Sequence, residues 1–469
     1  MRRVIFVSLF LLGSMAFPSK SFAAPNTWTA VGSIGFTDSR AFYTNLAFNP
    51  ATDEPYITYA NYGNSYKATV RKFNGSSWEI VGLDGFSAGE VANNVIAFNP
   101  ATDKPYVAYM DGGYNEKVTV MKFDGSSWVS VGTTKFTAGK ASSFDFAFNS
   151  ATNEPYLVYA NSDNSNKLTA MKFNGANWIT VGSEGFSIAA GSPSIAFNPS
   201  TNQPFVAFDG NAKANVMKFN GSDWITVGSS EFSSGEISNI DLAFNPETNE
   251  PYVAFDDFSN SYNTTVMKFN GSGWVVVGRA GFTNCPHNSL FNSIAFNPET
   301  NEPYVAYNDY QNSGANVMKF NGSSWVAVGS SGFGGGDNAR YINIVFNPET
   351  NEPYVAFMDY GNSYKATVMK YESEPAASDD NDSCGNDCRL YKHYKSVYKK
   401  AAKKNDYIKV KNLKKTNLAE FNRLKAVYMQ YKKLNNKELS KLSLKIQNDF
   451  KLYKDYRGYK LYLKYKDKN

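Results

Sequence analysis

Residues able to do acid–base, nucleophilic or metal chemistry are scarce in this chain. Its 469 residues include two His, His287 and His393, and three Cys, Cys285, Cys384 and Cys388. That inventory excludes a His-rich metal centre, an array of zinc ribbons and a disulfide-dense scaffold. No Gly-x-Ser-x-Gly elbow, His-Glu-x-x-His helix or phosphate loop occurs, and no spacing among the many Asp and Glu selects a catalytic pair. What remains is recognition chemistry. Between residues 24 and 371 the only arginines are Arg40, Arg71, Arg279 and Arg340. Arg40, Arg279 and Arg340 fall in loops of one kind, in a sector that also holds Cys285, His287 and Tyr341. Converging guanidinium groups there would grip a carboxylate or sulfate bidentately. A second set, Asn61, Asp111, Asn161, Asp209, Asp257, Asp309 and Asp359, recurs at one repeat position. As a ring of carboxylates it would hold a cation such as calcium. As Asx residues each would cap its own turn, and recurrence in every unit favours the cap. No other cofactor is expected. Cys384 and Cys388 are placed to form a disulfide in an oxidising compartment, whereas a metal site with His393 lacks a fourth ligand.

The elements that must position these side chains are repeats. Trp28, Trp78, Trp128, Trp178, Trp224, Trp274 and Trp325 stand at intervals of 50, 50, 50, 46, 50 and 51 residues, and each opens a W-x-x-V-G segment. Within a unit four short apolar runs alternate with turn residues. They are strand a (Ile294 to Phe296), strand b (Tyr304 to Tyr307), strand c (Asn316 to Phe320) and strand d (Trp325 to Val328). Asn321-Gly322 between c and d predicts a tight hairpin with positive φ at both positions. Alanine in mid-strand a suits crowding toward an axis. Trp28 to Gly32 is a strand d with nothing before it, and the last unit ends at its strand c, so joining them completes seven sheets and removes both edges. The prediction is an all-β seven-bladed β-propeller closed by its N-terminal strand, followed by a small C-terminal α-helical bundle.

The pattern resembles seven-bladed propeller families in general. The strand layout is similar to NHL repeats, and the Gly-x-x-Trp of Gly75 to Trp78 and Gly322 to Trp325 is similar to half of the Asp-box turn of sialidase-like propellers. Phe73 and Phe320 stand where that motif has its aspartate. The resemblance implies the fold and leaves the function to the loops. The a–b and c–d loops hardly vary between units, whereas the d–a and b–c loops differ freely, so a site is expected on the d–a/b–c face.

The ends carry different information. Residues 1–23 read as a signal peptide, with Arg2 and Arg3 ahead of an apolar run from Val4 to Phe17 and Ser21-Phe22-Ala23 before the cut. Export to the cell envelope or exterior is therefore expected. Residues 24–371 form the propeller and 372–388 an acidic linker. Residues 389–469 form a Lys/Tyr-rich helical domain with 25 basic against 6 acidic residues, while 24–388 carry 19 against 36. So basic a segment would favour an anionic surface; for an exported chain that means cell-wall polymer, acidic glycan or anionic lipid rather than genomic DNA. The reading is a non-enzymatic binding or scaffold protein whose propeller presents a glycan or protein ligand face. The alternatives are a carbohydrate-active propeller enzyme using loop carboxylates and a structural envelope component.

Overall fold

The computed structural model describes residues 27–283, 289–309, 314–334 and 338–372. The predicted signal sequence, nearly all of the linker and the helical C-terminal domain lie outside these residues, as do Cys285, His287, Cys384 and Cys388.

Among the described residues twenty-eight strands form seven antiparallel four-stranded sheets, six of them simple meanders and the seventh completed by the first strand of the chain order. Blade 1 comprises Ala41–Phe48 (a), Pro55–Asn61 (b), Lys67–Phe73 (c) and Trp78–Ile80 (d). Blade 7 comprises Ala339–Phe346, Pro353–Asp359 and Lys365–Glu372, with Thr27–Ala30 as its strand d. That strand pairs in register, Thr27 with Glu372 and Ala30 with Met369, so the first and last strands of the ring share one sheet. Every strand a touches strand a of both neighbours, including blade 7 against blade 1, which closes the ring around a central channel.

The sequence dictates the packing between blades. Strand b is buried at every position in blade 1, because its two faces meet the two adjacent sheets. Tyr56 of blade 1 meets Phe98 of blade 2 edge-on at 5.0 Å, and an aromatic pair of the same geometry fills all seven seams. Toward the rim each Trp stacks on a Phe from a d–a loop at 4.0–4.5 Å. Its indole N–H donates to a Val carbonyl of the preceding blade at 2.7–2.8 Å. The Trp therefore latches neighbouring blades together. Gly32 follows one such Val at φ +79°, and a Cβ there would sit 3.0 Å from Phe73.

Two local expectations change. The c–d connection is a four-residue loop, not a two-residue hairpin. Asn321 Oδ1 accepts the N–H groups of Ser323 and Ser324, both at 3.0 Å, and only Gly322 has positive φ. Asp124 performs the same capping in blade 2, where an acceptor is needed and an amide is not. The second change concerns Asp209. In blade 4 the end of strand b is Gly210, so Asp209 stands one residue earlier than its supposed equivalents. It faces the other way and accepts the Gly191 N–H at 2.6 Å.

Candidate functional site

The near-identical loops on the a–b face are accounted for by folding. Asn49 Oδ1 caps the turn through Ala51 N–H, and its amide donates to Asp103 O of the next blade, an arrangement repeated around the ring. On the opposite face, the residue ending strand b caps a single 3₁₀ turn. Asn61, Asp111, Asn161 and Asp257 accept the N–H two residues on at 3.0–3.1 Å. Asp359 instead accepts from Asn362 and Thr367. Among the described residues no three of His, Cys, Asp and Glu gather to hold a metal.

The channel wall carries a ring of polar side chains one station beyond a bulge in strand a. Asn343, Asn45, Asp145, Ser194, Asp241 and Ser293 each accept a backbone N–H from the following blade at 2.9, 3.0, 2.8, 3.1, 2.9 and 3.4 Å. Burial pushes the carboxyl of Asp145 up to about 7, against the pull of its two N–H partners, and raises that of Asp241 as well. A carboxyl poised near neutrality would suit acid–base work. These two are occupied in fastening blades, so they are read as structural.

The seam between blades 7 and 1 is different. The b–c turns of both blades read Tyr-Gly-Asn-Ser-Tyr-Lys, at Tyr62 to Lys67 and Tyr360 to Lys365. Arg40, just ahead of strand a in blade 1, extends its exposed guanidinium over the rings of Tyr62 and Tyr364, at 5.3 and 4.7 Å. Tyr364 packs on Tyr360 at 4.4 Å, and Arg340 lies over Tyr360 at 5.3 Å. Further inward Tyr43 and Tyr341 pack ring to ring at 4.7 Å across the innermost strands. Burial and the neighbouring Tyr43 push the Tyr341 hydroxyl up to about 12, so it keeps its proton and can donate. The result is a radial row of ring faces, hydroxyls and two guanidinium groups, running from an exposed Tyr62 toward the channel mouth.

The structure thus brings together Arg40, Arg340 and Tyr341 and adds Tyr43, Tyr62, Tyr360 and Tyr364, which the sequence reading missed. The repeated Tyr-Gly-Asn-Ser-Tyr-Lys was the available signal. Arg279 does not join them. It folds back on its own loop, with Nη2 3.5 Å from the carbonyls of Gly281 and Phe282. His287 is outside the described residues. A separate cleft of about 340 Å³ opens between blades 3 and 4, where the two-residue turn Asn211-Ala212 replaces the longer b–c loop; Ser142, Asn166 and Asp209 line it.

No protein-family model matches the chain, and no curated protein sequence is significantly similar to it. Solved structures do share its architecture. The lectin BP39L from Burkholderia pseudomallei superposes with a TM-score of 0.53 at 13% identity, over 70% of this chain and 95% of the lectin. A PL25 ulvan lyase bound to -[GlcA(1-4)Rha3S]- gives 0.49 at 13%, over 72% and 95%. YCF48 bound to a D1 peptide gives 0.46 at 12%, over 74% and 95%. At such identities the likeness is one of fold. The chain is a seven-bladed propeller of four-stranded blades.

Proposed function

We propose that the protein is a non-enzymatic binding module acting outside the cytoplasm. Its propeller presents the blade 7–blade 1 seam to a glycan or protein ligand. Its basic segment, residues 389–469, tethers it to an anionic surface. One observation carries the reading: two guanidinium groups, each over a tyrosine ring, gather at the blade 7–blade 1 seam, and no other described loop holds such an arginine–tyrosine pair. Such a surface binds by stacking and by charge-assisted hydrogen bonds and needs no reacting group. The propeller fold it shares with a lectin is compatible with that use.

The test is an array of glycans and peptides screened with the full chain at low and high salt, alongside a full-length variant whose tail lysines are neutralised. Tail attachment should vanish with salt or with the neutralised lysines. Binding at the seam should survive both and be lost on Tyr364→Leu. A ligand chemically altered during binding would replace this reading by an enzymatic one.

A further inference from the structure

Arg40 is held in an unusual state for a surface cation. Its guanidinium lies over two rings, that of Tyr62 at 5.3 Å and that of Tyr364 at 4.7 Å. It has no carboxylate partner among the described residues, although other basic side chains of the ring do: Arg71 pairs with Asp38, Lys172 with Glu154 and Lys268 with Glu250. Contact with two rings restricts the guanidinium, while its N–H donors meet no protein acceptor among the described residues. An edge presenting paired N–H donors matches the two oxygens of a carboxylate or sulfate. Beside it Tyr62, 47% exposed, presents apolar ring surface instead of a deep pocket. Such a surface suits the C–H face of a sugar better than the side-chain anchor that a protein partner would insert.

We infer that the seam recognises an anionic glycan, with Arg40 receiving a uronate carboxylate or a sulfate of one residue and the exposed Tyr62 stacking on a neighbouring one. This rests on the binding reading above and adds the ligand's chemical class. Arg340 over Tyr360 adds positive charge to the same row.

The experiment uses the full chain, with its basic tail, in titration calorimetry against three probes. They are an oligogalacturonate, a sulfated galactan oligosaccharide and the carboxyl-reduced form of the first. The proteins are the wild type, Arg40→Gln, Arg40→Lys and Tyr364→Leu, all at one salt concentration so that the tail's contribution is common to every arm. Arg40→Gln is expected to weaken the preferred anionic probe by about tenfold or more, the worth of one charge-assisted bidentate contact. Arg40→Lys should recover only part of that, because an ammonium lacks the planar fork. The reduced probe should bind weakly and equally to wild type and Arg40→Gln. Whichever anionic probe shows the Arg40 dependence identifies the group received.

Equal losses for charged and reduced probes would overturn the anionic class while leaving a glycan-binding seam. Arg40-dependent binding of an acidic peptide, with no glycan bound, would overturn it in favour of a protein partner. Binding indifferent to both Arg40 and Tyr364 would overturn the seam itself. Arg40 is exposed, so an unchanged urea midpoint for Arg40→Gln separates lost binding from lost folding.

Discussion

Replacing Asp145 by Asn should flatten the pH dependence of stability, and replacing Val95 with it should raise stability above wild type at pH 8. Asp145 Oδ1 accepts the Phe146 N–H at 2.7 Å and Oδ2 the Ile195 N–H at 2.8 Å. Burial, with the like charge of Asp241 adding to it, carries the carboxyl from 3.8 to about 7. The folded state therefore holds the proton more tightly than the unfolded state does. Native stability is greatest below pH 4 in this term, falls as pH rises through the window from about 4 to about 7, and the loss is complete above it. At roughly 1.4 kcal/mol per unit the shift corresponds to about 4 kcal/mol, of which about 2 to 3 falls between pH 5 and pH 8. Asparagine already serves at this station in blades 1 and 7, where Asn45 and Asn343 bind the next blade's N–H at 3.0 and 2.9 Å. Blade 2 has Val95 there, so Phe146 N–H must turn to Asp145. A lone Asp145→Asn leaves that N–H facing an amide, at a cost of about 1 kcal/mol. Val95→Asn restores an acceptor. In urea unfolding, Asp145→Asn should shrink the stability difference between pH 5 and pH 8 by about 2 to 3 kcal/mol. Asp241 and Asp256, raised by burial too, keep the remainder. An unchanged difference would refute the assignment.

Trp28→Ala should cost roughly 3–5 kcal/mol, since Trp28 stacks on Phe333 at 4.2 Å and donates to Val328 O at 2.7 Å. Because its strand closes the ring, size-exclusion chromatography should also show association through the freed edge of Lys365–Glu372; a monomer of nearly full stability would count against closure. Ala212 sits at φ +57° beside Asn211 at +52°, so Ala212→Gly should raise the unfolding free energy measured in urea by about 1 kcal/mol, and a loss would show that the turn is not strained. Arg71, buried and bonded to the Tyr59 hydroxyl at 3.0 Å, replaces the Met found in the other six blades. Arg71→Met should stay within about 1 kcal/mol of wild type or exceed it, whereas Asp38→Ala, which strands the cation, should be the more harmful change; the reverse order in urea melts would contradict this.

The fold was legible because it is written seven times. Trp spacing, four apolar runs and complementary half-units gave the blade count and the closure without any single strong motif. The finer errors share one cause. Asn321-Gly322 looked like a hairpin pair because dipeptide preference says nothing about loop length, and Asp209 was misaligned because blade 4 lost residues on both sides of it. The site was only half visible. Arg40 and Arg340 stood out by rarity, but the partners of Arg40 are tyrosines about 300 residues apart in sequence, Tyr62 and Tyr364, which come to it only once the ring closes. Arg279 shared the loop class but sits at the loop's start, where the backbone carbonyls of its own turn receive it.

Blade 3 provides the control that separates what folding needs from what recognition needs. Its b–c turn, Ser162 to Asn166, forms the same 3₁₀ turn with no aromatic residue, capped by Asn161 and passing through Ser165 and Asn166 at φ +53° and +55°. Asn tolerates that left-handed region at little cost. Blades 1 and 7 place Tyr66 and Tyr364 in the same conformation, at +57° and +63°, where a bulky side chain is disfavoured by about 1 kcal/mol. Blade 5 does so with Tyr262, but Asn288 precedes the next strand a, at the position that Arg40 holds in blade 1. Strain kept at two adjacent turns, beside the two cation–π pairs of Arg40 and Arg340, marks side chains retained for something other than the turn. Tyr364→Asn should relieve the backbone while losing the stack on Tyr360 and Arg40, leaving stability within about 1 kcal/mol of wild type. Ligand binding at the seam should nevertheless fall by about tenfold or more. If Tyr364→Asn instead costs several kcal/mol, the tyrosines are packing residues of the blade, and the seam loses the argument that sets it apart from the other six.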